Sequence, residues 1–175
     1  MSALSPSRRL YILRHAHSSW ALPGQRDHHR PLDARGRKEA DRLAEFIARK
    51  GYRFDVVVCS TAKRASETYD RIRPKLPTEG REEASDALYA MGVEAYYDAA
   101  RRHGDCDAIL LVGHNPVIEE FTLSLIADGD PAAIEAIRMG FPTCGLAVVE
   151  FSGPLDAIER GTGRLREFVD PHDLR

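Results

Sequence analysis

Cysteine is scarce in this 175-residue chain. Its three cysteines, Cys59, Cys106 and Cys144, are an odd number set far apart in apolar surroundings. That argues against a disulfide framework or a cysteine metal cluster and leaves buried free thiols as the expectation, in keeping with a reducing cytoplasm. Long apolar runs are missing too, since nothing approaches the roughly 18 residues needed to cross a membrane. The first nine residues, MSALSPSRR, are polar with no apolar core behind them, so no secretory signal is expected and the expected location is cytoplasmic. Neither sign of charge dominates: 25 Lys and Arg against 27 Asp and Glu give a net charge of -2. The basic residues form no stripe, so neither nucleic acid nor a membrane surface is an expected partner. Walker loops, His-x-x-x-His pairs and Gly-x-Ser-x-Gly elbows are absent, which removes the usual signs of a nucleotide cradle, a helical metal pair and a serine nucleophile.

What is present is an alternation of short apolar runs with amphipathic stretches, the pattern of a three-layer α/β/α domain. Strands are expected at about 9–14, 54–59 and 108–112, the second and third apolar enough to be central and covered on both faces. Asp33 reads as the cap of a helix that Gly51 ends, with Ala40, Leu43, Ala44 and Ile47 on one face. Ser60 and Thr61 read as caps of a helix reaching about residue 72. Further helices are expected at 92–102, 116–126 and 131–138, and strands at 144–151 and 164–169, while the polar stretch 79–85 reads as connection. The domain spans 9–170, between a flexible tail at 1–8 and a peripheral one at 171–175. Residues 16–32 form a loop long enough to suggest function.

Three of these strand ends carry unusual groups: Arg14-His15, Ser60-Thr61 leading to Arg64, and Gly113-His114-Asn115. If the strands are parallel, all three meet at one edge of the sheet. Two arginines and two imidazoles suit a tetrahedral dianion, because guanidinium forks match phosphate oxygens and keep their charge. A neutral imidazole can attack phosphorus if its other ring nitrogen is held as a donor. A helix beginning at Pro116 would add its positive end. Such a site needs no metal and no cofactor. His28 and His29 read as pocket rim, and His103 and His172 as structural or solvent-facing.

The segments Leu13-Arg14-His15-Ala16-His17-Ser18, Cys59 to Thr68 (CSTAKRASET) and Val112-Gly113-His114-Asn115-Pro116 resemble the histidine phosphatase superfamily, and most of all its small bacterial SixA-type phosphohistidine phosphatases. Asp27-His28-His29-Arg30-Pro31-Leu32, Arg35-Gly36, Leu88-Tyr89 and Phe141-Pro142-Thr143 resemble that branch as well. The resemblance implies a phosphoglycerate mutase-like mixed, mostly parallel sheet with one antiparallel edge strand near the C-terminus. It implies His15 as nucleophile, with Arg14, Arg64 and His114 completing the phosphate pocket and Ser60, Ser18 and Asn115 in support. Larger relatives protonate an alkoxide with a carboxylic acid placed after the second arginine motif. Here that stretch is short, and Glu79, Glu82 and Asp86 are candidates that nothing in the sequence singles out. An imidazole leaving group would need less help.

The leading expectation is a metal-independent phosphatase acting on phosphohistidine in a protein. A small-molecule phosphomonoesterase and an inactive phosphate-recognition module are the alternatives, and a metal hydrolase built on His15, His17, His28, His29 and Asp27 is a weaker one. The sequence carries nothing on oligomeric state.

Overall fold

The computed structural model of the chain describes residues 7–174. Among these, seven strands form one sheet: β1 (Arg8–Arg14), β2 (Val56–Ser60), β3 (Arg81–Ser85), β4 (Ala108–Gly113), β5 (Ile126–Gly129), β6 (Leu146–Phe151) and β7 (Gly163–Val169), in the order β3-β2-β4-β1-β6-β7-β5. The strands β3, β2, β4 and β1 run parallel to one another, β6 runs against β1 and β7, and β5 is parallel to β7. The mixed, mostly parallel α/β/α architecture is therefore as expected. The antiparallel strand, however, is interior and pairs directly with β1.

Side-chain alternation divides the core in two. Tyr11, Leu13, Val57, Leu110 and Val112 face α1 (Ala34–Lys50) and α2 (Lys63–Ile72) on one side of the sheet. Leu10, Ile12, Val58, Ile109 and Leu111 face α4 (Val93–Arg101), α5 (Val117–Leu125) and α6 (Pro131–Met139) on the other, and the single turn α3 (Ala87–Ala90) leads from β3 to α4. Each fully buried aliphatic side chain contributes about 1.5–3 kcal/mol. This is why β2 and β4 are apolar at nearly every position, as two-sided burial requires. Asp33 caps α1 by accepting from the Gly36 amide at 2.9 Å, and Gly51 ends it at φ 68°.

Four expectations are corrected. Residues 81–85 form β3, an edge strand whose Arg81, Glu82 and Ala84 are exposed, so no apolar pattern was required of it. Ser60 and Thr61 do not cap α2, whose cap is Ala62, and their hydroxyls are engaged elsewhere. Arg8 pairs with Phe151 at the start of β1 and so is no part of a tail; residues 1–6 of that tail, and Arg175, lie outside the described residues. The C-terminal segment is docked. Pro171 is buried, and His172 places Nε2 2.7 Å from the buried Glu39 and Nδ1 2.6 Å from Asp170. Glu39 also accepts from the His17 amide and the Thr143 hydroxyl. The chain end thus braces the loop that follows β1.

Candidate active site

The ends of β1, β2 and β4 converge on one edge of the sheet, around a cleft of about 340 Å³ lined by Arg14, His15, His17, Ser18, Trp20, Arg30, Arg64, His114, Asn115 and Thr143. His15 lies on its floor, 8% exposed. Its backbone is tied on both sides, with its amide on the Gly113 carbonyl and its own carbonyl accepting from Cys144. The following Ala16 amide donates to Thr68 on α2. His15 Nδ1 lies 2.7 Å from the Ala16 carbonyl, which can only accept, so Nδ1 carries the proton and Nε2 presents a lone pair. Arg64 Nε approaches that lone pair at 3.4 Å.

His114 is held in the opposite sense. Ser60 is 1% exposed, and its oxygen already accepts from the Ala62 amide. The Ser60 hydroxyl hydrogen therefore goes to His114 Nε2, 2.7 Å away. That leaves the proton of His114 on Nδ1, a buried atom with no partner. Arg14 Nε is likewise buried and unpartnered, while Arg14 Nη1 is anchored on the Phe141 carbonyl at 2.7 Å. Unmet buried donors cost about 1–3 kcal/mol each, so two of them beside the His15 imidazole and the Arg64 guanidinium describe an anion site. Position 113 has to be glycine: a Cβ there would lie 2.0 Å from the Tyr96 hydroxyl, which accepts from the His114 amide and donates to the Leu88 carbonyl.

Burial, reinforced by neighbouring positive charge, pushes His15 down to about 3 and His114 down to about 4. Both imidazoles are neutral at pH 7. The unfolded chain takes up protons at both as pH falls through about 6.5, and the folded chain does not. Stability is therefore expected to be full above that pH and to decline toward pH 4, by up to about 1.4 kcal/mol per pH unit for each imidazole. Urea midpoints between pH 7.5 and 4.5 would measure this. A decline no shallower in a His114→Asn protein would contradict it.

Asp27 clamps Arg64. The Asp27 carbonyl and carboxylate accept from Arg64 Nη1 and Nη2 at 2.8 and 3.0 Å, and the carboxylate also accepts from Arg30 and the Tyr89 hydroxyl. Partial burial raises its pKa, but the Tyr89, Arg30 and Arg64 donors outweigh that and hold it at about 2. From the sequence Asp27 is only part of the family-like motif 27–32 and of the metal set; its hold on Arg64 depends on the 16–32 loop folding against α2.

Of the supporting residues, Ser18 and Asn115 line the cleft, with Ser18 accepting from Arg30 and Asn115 donating to the Phe141 carbonyl. The acid candidates separate. Glu82 points along the β3 edge into an ion pair with Arg73, and Glu79 is exposed before β3, at the far edge of the sheet from the cleft. Only Asp86 stands at the site edge, accepting from Thr61 at 2.6 Å. The N-terminus of α5 is largely self-satisfied, with the Ile118 and Glu119 amides on His114 O and Asn115 Oδ1, so it offers less to an anion than the sequence suggested. His15, His17 and His28 each have separate partners, and no group of three His, Cys, Asp or Glu converges as a ligand set among the described residues. His103 and His172 are structural, on Glu83 and Glu39. Cys106 and Cys144 are buried and Cys59 is half-buried; all three are free, and burial pushes the Cys59 thiol up to about 12.

A mostly parallel sheet that brings Arg-His, a helix arginine and a second histidine to one edge defines the histidine phosphatase class, and the chain belongs to the histidine phosphatase superfamily. The profile of its branch 1 matches residues 10–85. Within it, the relationships fall in the SixA-type branch. The crystal structure of the putative phosphohistidine phosphatase SixA from Agrobacterium tumefaciens superposes with a TM-score of 0.81 at 32% identity, over 95% of this chain and 100% of that one. That of the putative SixA from Nakamurella multipartitia gives 0.83 at 26% identity, over 97% and 99%. An uncharacterized protein of Mycobacterium tuberculosis is 33% identical, over 91% of this chain and 99% of its own length. These relationships support phosphatase activity.

Proposed function

We propose that this chain is a metal-independent phosphatase that works through a phosphohistidine at His15 and acts on phosphohistidine in a protein. The observation that carries the reading is His15 Nε2, whose lone pair meets only Arg64 Nε at 3.4 Å, beside the unmet donors Arg14 Nε and His114 Nδ1. His15 attacks phosphorus from the cleft floor, and the guanidinium groups of Arg14 and Arg64 neutralise the equatorial oxygens. His114 Nδ1 donates to one of those oxygens, and water then releases phosphate. No carboxylic acid is poised for an alkoxide, since Asp27 stays ionised.

A protein substrate is supported by the rim. Trp20, at 92% exposure, lines the cleft, and Leu22 beside it is also exposed. An uncovered tryptophan at the mouth of a charged pocket fits a partner surface better than a small ester. Three unpaired cysteines accord with a cytoplasmic setting. The test is turnover, in excess chelator, of a phosphohistidine-bearing protein against phenyl phosphate. Preferential release from the protein is the expected result. Faster hydrolysis of the ester would make this a small-molecule phosphatase, and no turnover of either would leave a binding module.

A further inference from the structure

At the end of β2 two consecutive hydroxyls each hold an imidazole. Ser60 holds His114 on the floor of the cleft, and Thr61 Oγ1 lies 2.8 Å from His28 Nε2 at the lip. The Thr61 hydroxyl has one hydrogen, and the Asp86 carboxylate 2.6 Å away can only accept it. Thr61 must therefore accept from His28, which places a proton on His28 Nε2. A carboxylate, a hydroxyl and an imidazole stand in line, and the ring's other nitrogen, Nδ1, has no protein partner among the described residues. The His28 ring packs edge-on against Tyr89 at 4.8 Å, and Tyr89 packs against His114 at 5.5 Å, so three rings descend from lip to floor. The Tyr89 hydroxyl is tied to Asp27, which clamps Arg64. His28 is thereby fixed to the same framework that shapes the phosphate pocket.

We propose that His28 is the proton donor to the leaving group, with Thr61 and Asp86 as its positioning residues. The inference rests on the phosphatase reading above. An in-line attack from His15 on the floor expels the leaving group away from the floor, and His28 is linked to the floor histidine His114 through the Tyr89 ring. In its charged form His28 carries a second proton on Nδ1. As His15 Nε2 bonds to phosphorus, the bond from phosphorus to the leaving nitrogen or oxygen breaks. The leaving atom keeps the electron pair and takes the Nδ1 proton. His28 is then neutral, with a lone pair on Nδ1 that accepts a proton from the attacking water. The new oxygen–phosphorus bond forms as the bond to His15 breaks, and both histidines return to their starting states. Throughout, Thr61 accepts from Nε2 and donates to Asp86, which fixes the ring, the role a third group plays in other catalytic triads. The missing carboxylic acid is thus replaced by an imidazole from the 16–32 loop, with Asp86 acting behind it.

The experiment measures kcat/KM along two series of graded leaving groups, ring-substituted N-phosphoimidazoles and aryl-to-alkyl monophosphates, for the wild type and for His28→Gln, Thr61→Val and Asp86→Asn. A lost proton donor costs most where the leaving group is poorest. His28→Gln is expected to lose about 100-fold or more on the poorest leaving group of whichever series is turned over, and less than about 3-fold on the best. Thr61→Val and Asp86→Asn should show the same tilt with a smaller loss. Should His28→Gln fail to fold, Thr61→Val carries the test with the imidazole in place. Nitrogen-15 NMR of the wild-type ring should show the proton on Nε2 in the neutral form. A loss uniform along the series, no loss, or a neutral ring protonated on Nδ1 overturns the relay while leaving the phosphatase reading intact. A wild type inactive on both series overturns that reading and the relay with it.

Discussion

Replacing His15 by alanine is expected to lower kcat/KM by about 10,000-fold or more, because in the proposed mechanism it removes the nucleophile, which deletes the reaction path and not just a contact. Everything around His15 serves one atom. The Ala16 carbonyl fixes the tautomer, the Gly113 and Cys144 backbones fix the position, and burial keeps the ring neutral at about 3. The substitution removes a buried side chain but no structural brace, since the ring bonds only to the neighbouring Ala16 carbonyl and to Arg64 Nε. The folded state is therefore expected to survive, as near-unchanged circular dichroism would show. The measurement that decides is an acid-labile, base-stable phosphoenzyme, trapped by rapid quench from the wild type and absent from the variant. A phosphoenzyme that persists without His15 would move the nucleophile elsewhere.

Arg64→Ala is expected to cost about 1,000-fold in kcat/KM, the scale on which removing a positioned arginine slows phosphoryl transfer. Arg64 is 6% exposed and contacts His15 and Asp27 at once, so its charge acts where water is largely excluded. Arg64→Lys should recover only a small part of the loss, because an ammonium restores the charge without the planar fork. The rim residue Arg30, which reaches Ser18 and Asp27, is the internal comparison: Arg30→Ala should cost about 10-fold or less, as expected of an exposed ion pair. Equal losses for Arg64→Ala and Arg30→Ala would show that general positive potential, and not the placement of Arg64, is at work.

The outcome for individual elements follows from how burial writes itself into sequence. The strands β2 and β4 were legible because a strand covered on both faces must be apolar at nearly every position, and VVVCS and AILLVG are close to that limit. The helix α1 was legible from its face, its Asp33 cap and its Gly51 stop. β3 was not, because an edge strand with exposed Arg81 and Glu82 satisfies no such constraint and reads as polar loop. The C-terminal segment was misread for a related reason. Its anchoring comes from Pro171 and His172 docking on Glu39, which lies 133 positions earlier for His172, and no local pattern reports a contact at that separation.

The sequence by itself showed the α/β alternation and pointed to four candidates, His15, Arg14, Arg64 and His114, which the fold brings to one cleft. Strand ends that stop in charged groups after an apolar run break the local pattern, and a break of that kind is visible without coordinates. Tertiary structure alone decided which tautomer His114 and His28 hold, because this depends on hydroxyl partners distant in sequence: Ser60 for His114, and Thr61 with Asp86 for His28. It also separated Asp86 from Glu79 and Glu82. Residues that share one polar stretch are divided by the length of an edge strand, with Glu79 before it and Asp86 at its end, so only Asp86 reaches the side of the sheet where the chemistry sits.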